Sequence, residues 1–149
     1  MGLNGTKYLG LGTTNKYYIE DGSTYFDITP IRLTTSANEI SFAATAANGS
    51  TITVTDTSHG AVIGDFVTIS GAVSLGDAIT ASVLNAEHQI VSVPTVNTYT
   101  FVASASATSS DSGNGQGTVI GKYQINSGLD VYVPSTGWGA DTWGQGTFG

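Results

Sequence analysis

Acid–base or nucleophilic chemistry near neutral pH needs a side chain that titrates or attacks there. The sequence supplies two histidines, His59 and His88, eleven carboxylates, and hydroxyls with no base beside them. No cysteine is present, which removes thiolate nucleophiles, disulfides and thiolate metal sites together. His59 lies in the turn pattern Thr57-Ser58-His59-Gly60 and His88 precedes Gln89-Ile90-Val91, so both are expected as surface or turn-bonding residues. Their separation matches no helical metal-ligand spacing. Glu20-Asp21 is the one adjacent carboxylate pair, and it falls against Gly22 on an expected hairpin turn. Gly113-Asn114-Gly115-Gln116-Gly117 resembles a phosphate cradle in glycine content alone, because no Lys-Ser/Thr and no helix follow it. Asp111 beside those glycines cannot by itself give calcium its six or more oxygens. No catalytic residue, cofactor or metal is expected, and the chain reads as non-enzymatic.

The whole composition points the same way. Ser, Thr and Gly fill 58 of 149 positions, while charged residues make up only 10%. With 40% hydrophobic residues the chain can still bury a core large enough to offset backbone ordering. The net charge is −7, and the four cations, Lys7, Lys16, Arg32 and Lys122, are scattered singly, so no basic face exists to neutralise phosphates and nucleic acid is disfavoured as a partner. No segment approaches the eighteen apolar residues of a membrane span, and MGLNGTKYLG lacks the apolar stretch of a signal peptide.

What must position any site is β-structure. Period-two segments recur from end to end, and the helical period is nearly absent. Strands are expected at 7–11, 16–19, 24–29, 39–45, 50–55, 65–70, 89–93, 98–104, 117–125 and 129–133. In 51–55, Ile52 and Val54 should face inward and three threonines outward; in 66–70, Val67 and Ile69 oppose Phe66, Thr68 and Ser70. Asn4-Gly5, Asp21-Gly22 and Asn48-Gly49 suit tight turns, with Asp21-Gly22 the strongest hairpin. Residues 76–87 hold at most one helical turn, capped by Asp77 and burying Ile79, Val83 and Leu84. The fold class is therefore all-β.

Composition divides the chain into an aromatic and Gly-rich start, residues 1–36, a Thr, Val and Ala-rich middle, 37–123, and an aromatic and Gly-rich end, 124–149. The middle reads as an inserted small β-barrel or sandwich module, and 103–117 as a mobile low-complexity loop. In the last segment Trp138-Gly139, Trp143-Gly144 and Phe148-Gly149 form a three-copy repeat. Tyr132, Trp138 and Trp143 either pack in a core or subunit contact, or form an exposed platform that stacks on sugar rings.

Several of these segments carry a resemblance. Gly2-Leu3-Asn4-Gly5-Thr6-Lys7-Tyr8-Leu9, Lys16-Tyr17-Tyr18-Ile19-Glu20-Asp21-Gly22, Tyr25 to Arg32, Tyr123 to Asp130, Gly137-Trp138-Gly139 and Thr142-Trp143-Gly144 resemble the β-rich, tail-associated structural proteins of podovirus-like marine bacteriophages. The middle, through Ile52-Thr53-Val54-Thr55, His59-Gly60, Gly64 to Gly71, Leu84-Asn85, Gln89 to Val93 and Thr98 to Phe101, is similar to a small β-barrel module likened to the first catalytic-cysteine half-domain of ubiquitin-activating enzymes. It departs from that pattern at Leu84-Asn85-Ala86, where a glycine usually follows the asparagine, and the missing cysteine removes any ubiquitin chemistry. The resemblance implies a virion location, strands of a blade-like antiparallel sheet flanking the module, a piece of a larger polypeptide, and other virion proteins and copies of itself as partners. A host glycan is the alternative partner, through Tyr132, Trp138 and Trp143.

Overall fold

The computed structural model describes residues 7–125 except 77 and 116. It is all-β and antiparallel. A three-stranded meander, β1 (Leu9–Gly12), β2 (Tyr17–Asp21) and β3 (Thr24–Asp27), precedes the main body. The body is an eight-stranded sheet of β4 (Ile31–Thr34), β5 (Ser41–Ala44), β6 (Thr51–Thr55), β7 (Phe66–Ser70), β10 (Glu87–Thr95), β11 (Thr98–Val102), β12 (Asp111–Gly113) and β13 (Ile120–Gln124). Its spatial order is β12-β5-β6-β11-β10-β7-β13-β4. A small ribbon, β8 (Ser74–Gly76) with β9 (Ile79–Thr80), leads into the single helical turn α1 (Ala81–Leu84).

Strand β10 explains how one sheet makes two layers. Its first residues, Glu87 to Gln89, pair with β7, while Ile90 to Thr95 pair with β11 through two register shifts. Bulges bend and twist a strand, and here they let one strand belong to both halves, which then fold face to face as a sandwich. No ladder joins β12 to β4 among the described residues, so the sheet is open and the barrel alternative is not realised as a closed barrel.

Register decides which side chains meet between the layers. Opposed positions share a face, and Phe42–Val54, Val54–Tyr99, Ile52–Phe101, Phe101–Ile90, Val67–His88, Val67–Tyr123 and Ile69–Gly121 are all inward pairs. Every one of the large apolar members is buried, and each contributes about 1.5–3 kcal/mol by leaving water. The alternation in 51–55 and 66–70 is as the sequence requires. Ile79, Val83 and Leu84 are buried as expected, but the turn starts from Thr80. Asp77, the expected cap, lies outside the described residues.

Three expectations change. The hairpin loop between β2 and β3 is Gly22-Ser23, both at positive φ of 58° and 71°, one residue later than Asp21-Gly22; Asp21 instead pairs with Thr24. Residues 103–117 are not a free loop, since β12 pairs with β5 and the Ala103 and Ala107 amides donate to Ser50 and Gly49 carbonyls. Small side chains let that segment lie flat along the sheet edge, where its amides find acceptors. Strands β4, β8, β9 and β12 were too short or too polar to show a period. The expected strand 129–133 and the turn Asn4-Gly5 lie outside the described residues.

Two glycines permit a close backbone crossing where β7 ends. A Cβ on Gly71, whose φ is 81°, would strike the Thr118 carbonyl, and one on Gly117 would strike the Gly71 carbonyl.

Between the layers sits a polar network of Tyr123, Tyr99 and Asp56. The Tyr123 hydroxyl donates to Asp56 Oδ2 at 2.6 Å and shares a second hydrogen bond, 3.1 Å, with the Tyr99 hydroxyl. Tyr123→Phe leaves the buried Asp56 carboxylate without this donor, whereas Tyr99→Phe keeps it. We expect Tyr123→Phe to lower the unfolding free energy by about 1–3 kcal/mol and Tyr99→Phe by less. Urea unfolding at pH 7 checks this, and equal costs would show that the Asp56 contact is dispensable.

Candidate functional site

The groups with the most chemical potential converge on this core network. His59, only 1% exposed, packs edge-on to Tyr99 with ring centres 5.2 Å apart and stacks on Tyr123 at 6.5 Å. Its Nδ1 accepts the Ala61 amide at 3.0 Å, which places the proton of the neutral ring on Nε2. Among the described residues, that Nε2 and Asp65 Oδ1 have no hydrogen-bond partner. Burial pushes both tyrosine hydroxyls above their ordinary value of 10, and the neighbouring Asp56 carboxylate adds to the effect. At neutral pH both hydroxyls therefore stay protonated, and their chemistry here is hydrogen bonding across the core. An open cleft of about 620 Å³ lies over His59, between the 58–62 loop and residues 93–96, and its walls are mostly valine, alanine and proline. Arg32 closes the other side, donating to the His59 carbonyl at 3.1 Å with its guanidinium over the Tyr123 ring.

His88 is separate from this group. It stacks on Phe101 at 3.9 Å between ring centres, and its Nε2 lies 3.0 Å from the Leu84 carbonyl, so the neutral ring carries its proton there. Both histidines are thus buried rather than on the surface, and His59 is turn-bonded as well. Residues Tyr132, Trp138 and Trp143, the candidate interface or stacking aromatics, lie outside the described residues. Among the described residues no group of three or more His, Asp or Glu side chains could hold a metal ion, and no helix is long and apolar enough to cross a membrane.

The surface feature that sequence reasoning missed is the meander. In register, Leu9, Leu11, Tyr18, Glu20, Tyr25 and Asp27 share one face, and Tyr17, Ile19, Asp21 and Phe26 share the other, with Ile28 continuing it. Leu9, Leu11 and Tyr25 are exposed on the first face; Tyr17, Phe26 and Ile28 are exposed on the second. A signal was present: Tyr17-Tyr18-Ile19 and Tyr25-Phe26 put apolar residues at successive positions, which makes both faces of a strand apolar.

Lys16 fixes this meander to the body. Its ammonium bonds Asp27 at 2.7 Å and Glu87 at 2.5 Å, and sits 4.4 Å from the centre of the Phe66 ring. Gln124 also reaches Asp27 at 3.3 Å, and Thr29 Oγ1 accepts the Tyr17 amide at 2.9 Å. Burial pushes the Asp27 carboxyl up, but the bonds from Lys16, Thr29 and Gln124 more than reverse this and hold it well below its ordinary 3.8. Burial likewise works against the Lys16 charge, and the two carboxylates overcome it, raising the amine above 10.5.

Lys16→Met leaves Asp27 and Glu87 without their cation. Because those carboxylates are partly exposed, with side-chain accessibilities of 29% and 36%, we expect a loss of about 1–3 kcal/mol, between the surface and buried limits. The pH profile follows from three shifts. Asp27, lowered, stabilises fully above about pH 4 and loses this as pH falls through its folded value. Burial lowers His88 from 6.5, against the Leu84 carbonyl, so its contribution is present above pH 6.5 and fades below it. Lys16, raised, contributes fully below 10.5 and loses this above. Stability should therefore hold a plateau between about pH 7 and 10 and fall in two steps on acidification. His88→Gln should remove the step that begins below pH 6.5 and Lys16→Met the one below about pH 4; thermal melts across pH check both, and an unchanged profile in either variant refutes its assignment.

No family model and no curated protein matches this sequence. Among solved structures, the chain is similar to part of the phage phi92 endosialidase, at 16% identity and a TM-score of 0.48. The similarity covers 83% of this chain and 19% of that one, so the chain spans about a fifth of that protein's length.

Proposed function

We propose that the chain is a non-enzymatic structural component of a phage virion, tail-associated, that works through β-strand scaffolding and subunit contacts. The observation that carries this reading is the meander: six large apolar side chains stand exposed on its two faces. A three-stranded sheet gains independent stability only when an apolar face is covered, and exposed patches of this kind are interaction sites in soluble proteins. The sequence likeness of the flanking segments to tail-associated proteins supplies the setting. The eight-stranded body, from β4 to β13, carries the meander, and the residues with perturbed protonation inside it serve packing. As the rival reading, Tyr132, Trp138 and Trp143 bind a host glycan.

Mass spectrometry of gradient-purified particles tests the proposal, with the chain expected at a fixed ratio to the other virion proteins. Its absence from particles, together with a saturable tryptophan fluorescence change on adding glycans, would overturn the scaffold reading in favour of the glycan one.

A further inference from the structure

We infer that the first face of the β1–β2–β3 meander, with Leu9, Leu11 and Tyr25 exposed on it, is the docking surface for the chain's own C-terminal segment, residues 126–149, with Trp138 and Trp143 in the contact. That segment lies outside the described residues. The inference goes beyond the assembly reading and does not rest on it, and it leaves the second face, with Tyr17, Phe26 and Ile28, open to other chains.

Position selects the occupant. Strand β13 pairs antiparallel with β4, which follows β3 in the chain, so β13 ends where β3 and β4 meet. There the Ile125 amide donates to the Pro30 carbonyl at 3.0 Å, and the Gln124 side-chain amide donates to Asp27 Oδ2 at 3.3 Å. Asp27 belongs to the first face, in one row with Tyr18 and Leu11. Residue 126 therefore starts at a corner of that face. Three strands span roughly 10 Å. Residues 126–133, fully extended, reach up to roughly 26 Å, enough to cross from Asp27 to Leu11. A segment tethered this close meets the face at an effective concentration on the order of millimolar, which a free partner must outcompete.

Chemistry agrees with position. Residues 126–149 hold both tryptophans of the chain, and Leu129, Val131 and Val133 alternate with polar or aromatic positions, so an extended run there has one apolar side. The charges of the segment are Asp130 and Asp141, and Asp130 falls on the opposite side of that run. With no cation to offer, the segment meets the face through apolar contact. The two carboxylates of the face are engaged at its ends: Glu20 accepts the Ser23 amide at the turn, and Asp27 is held by Lys16 and Gln124 at the base.

Tryptophan fluorescence tests this, because both tryptophans lie in the docking segment and the signal reports on it alone. As a monomer, verified by light scattering after size exclusion, the parent chain should emit to the blue of its urea-unfolded state and resist acrylamide quenching. Tyr25→Asp should move the emission to the unfolded wavelength and raise quenching several-fold. Phe26→Asp, next to it on the strand but on the opposite face, should match the parent in both. The two side chains are more than half exposed, at 61% and 51%, so circular dichroism should show both variants folded. Parent emission already at the unfolded wavelength, an unmoved Tyr25→Asp spectrum, or an equal shift in Phe26→Asp overturns the docking. A parent chain with no monomeric form on dilution, or one whose blue emission fades as it becomes monomeric, assigns the segment to a second copy and also overturns it. A chain found in particles whose tryptophans are open to water refutes the docking and leaves the virion assignment standing.

Discussion

One ammonium group holds the exposed surface in place. Lys16 stands at the turn into β2 and reaches Asp27 at the end of β3, Glu87 at the start of β10 and the Phe66 ring at the start of β7. Those contacts join the first segment of the chain to residues fifty and seventy positions away. The meander has no hydrophobic core of its own, so its orientation on the body is set by polar contacts: this cation, the Gln124 amide, and the Asn15 side chain on the Gly64 carbonyl. Charged hydrogen bonds fix geometry more sharply than apolar contact does, so the meander is held on the body in a defined orientation. The arrangement also explains why one of the few cations in the chain is buried.

The fold class and most of the core were legible because β-structure announces itself through alternation. Ile52 and Val54 against three threonines, and Val67 and Ile69 against Phe66, Thr68 and Ser70, gave the inward faces correctly. Alternation could not show that β10 pairs with different strands along its length, because Gln89 to Val93 reads as one uniform run and the bend comes from register shifts against β11. Short strands such as β4 and β12 hold too few residues to display a period, and the Ser, Ala and Gly of 103–117 hide an edge segment whose order comes from main-chain bonds.

The site was less legible. His59 was placed in a turn, and it is; its burial against Tyr99 and Tyr123 depends on strands forty and sixty-four residues away, which local pattern does not reach. The exposed aromatics of 17–28 were identified as strand residues, but without a tertiary structure each apolar strand residue counts equally as core. Only the sheet order shows that β1, β2 and β3 pair among themselves and with nothing else among the described residues.

The shared strand β10 has a mechanical consequence. A pull on the meander reaches the body by more than one route: along the main chain from β3 into the edge strand β4, and through the Lys16 contact at Glu87, the first residue of β10. The share carried by Lys16 enters both layers, through the β7 ladder on one side and the β11 ladder on the other, while the share carried by the main chain enters at β4, which pairs with β13. Main-chain bonds stressed along the strand direction must give way together, whereas a sheet peeled from its edge loses them one after another. The ladders on either side of β10 therefore yield together, whereas β4, at the sheet edge and bonded to β13 on one side, is the strand that peels first.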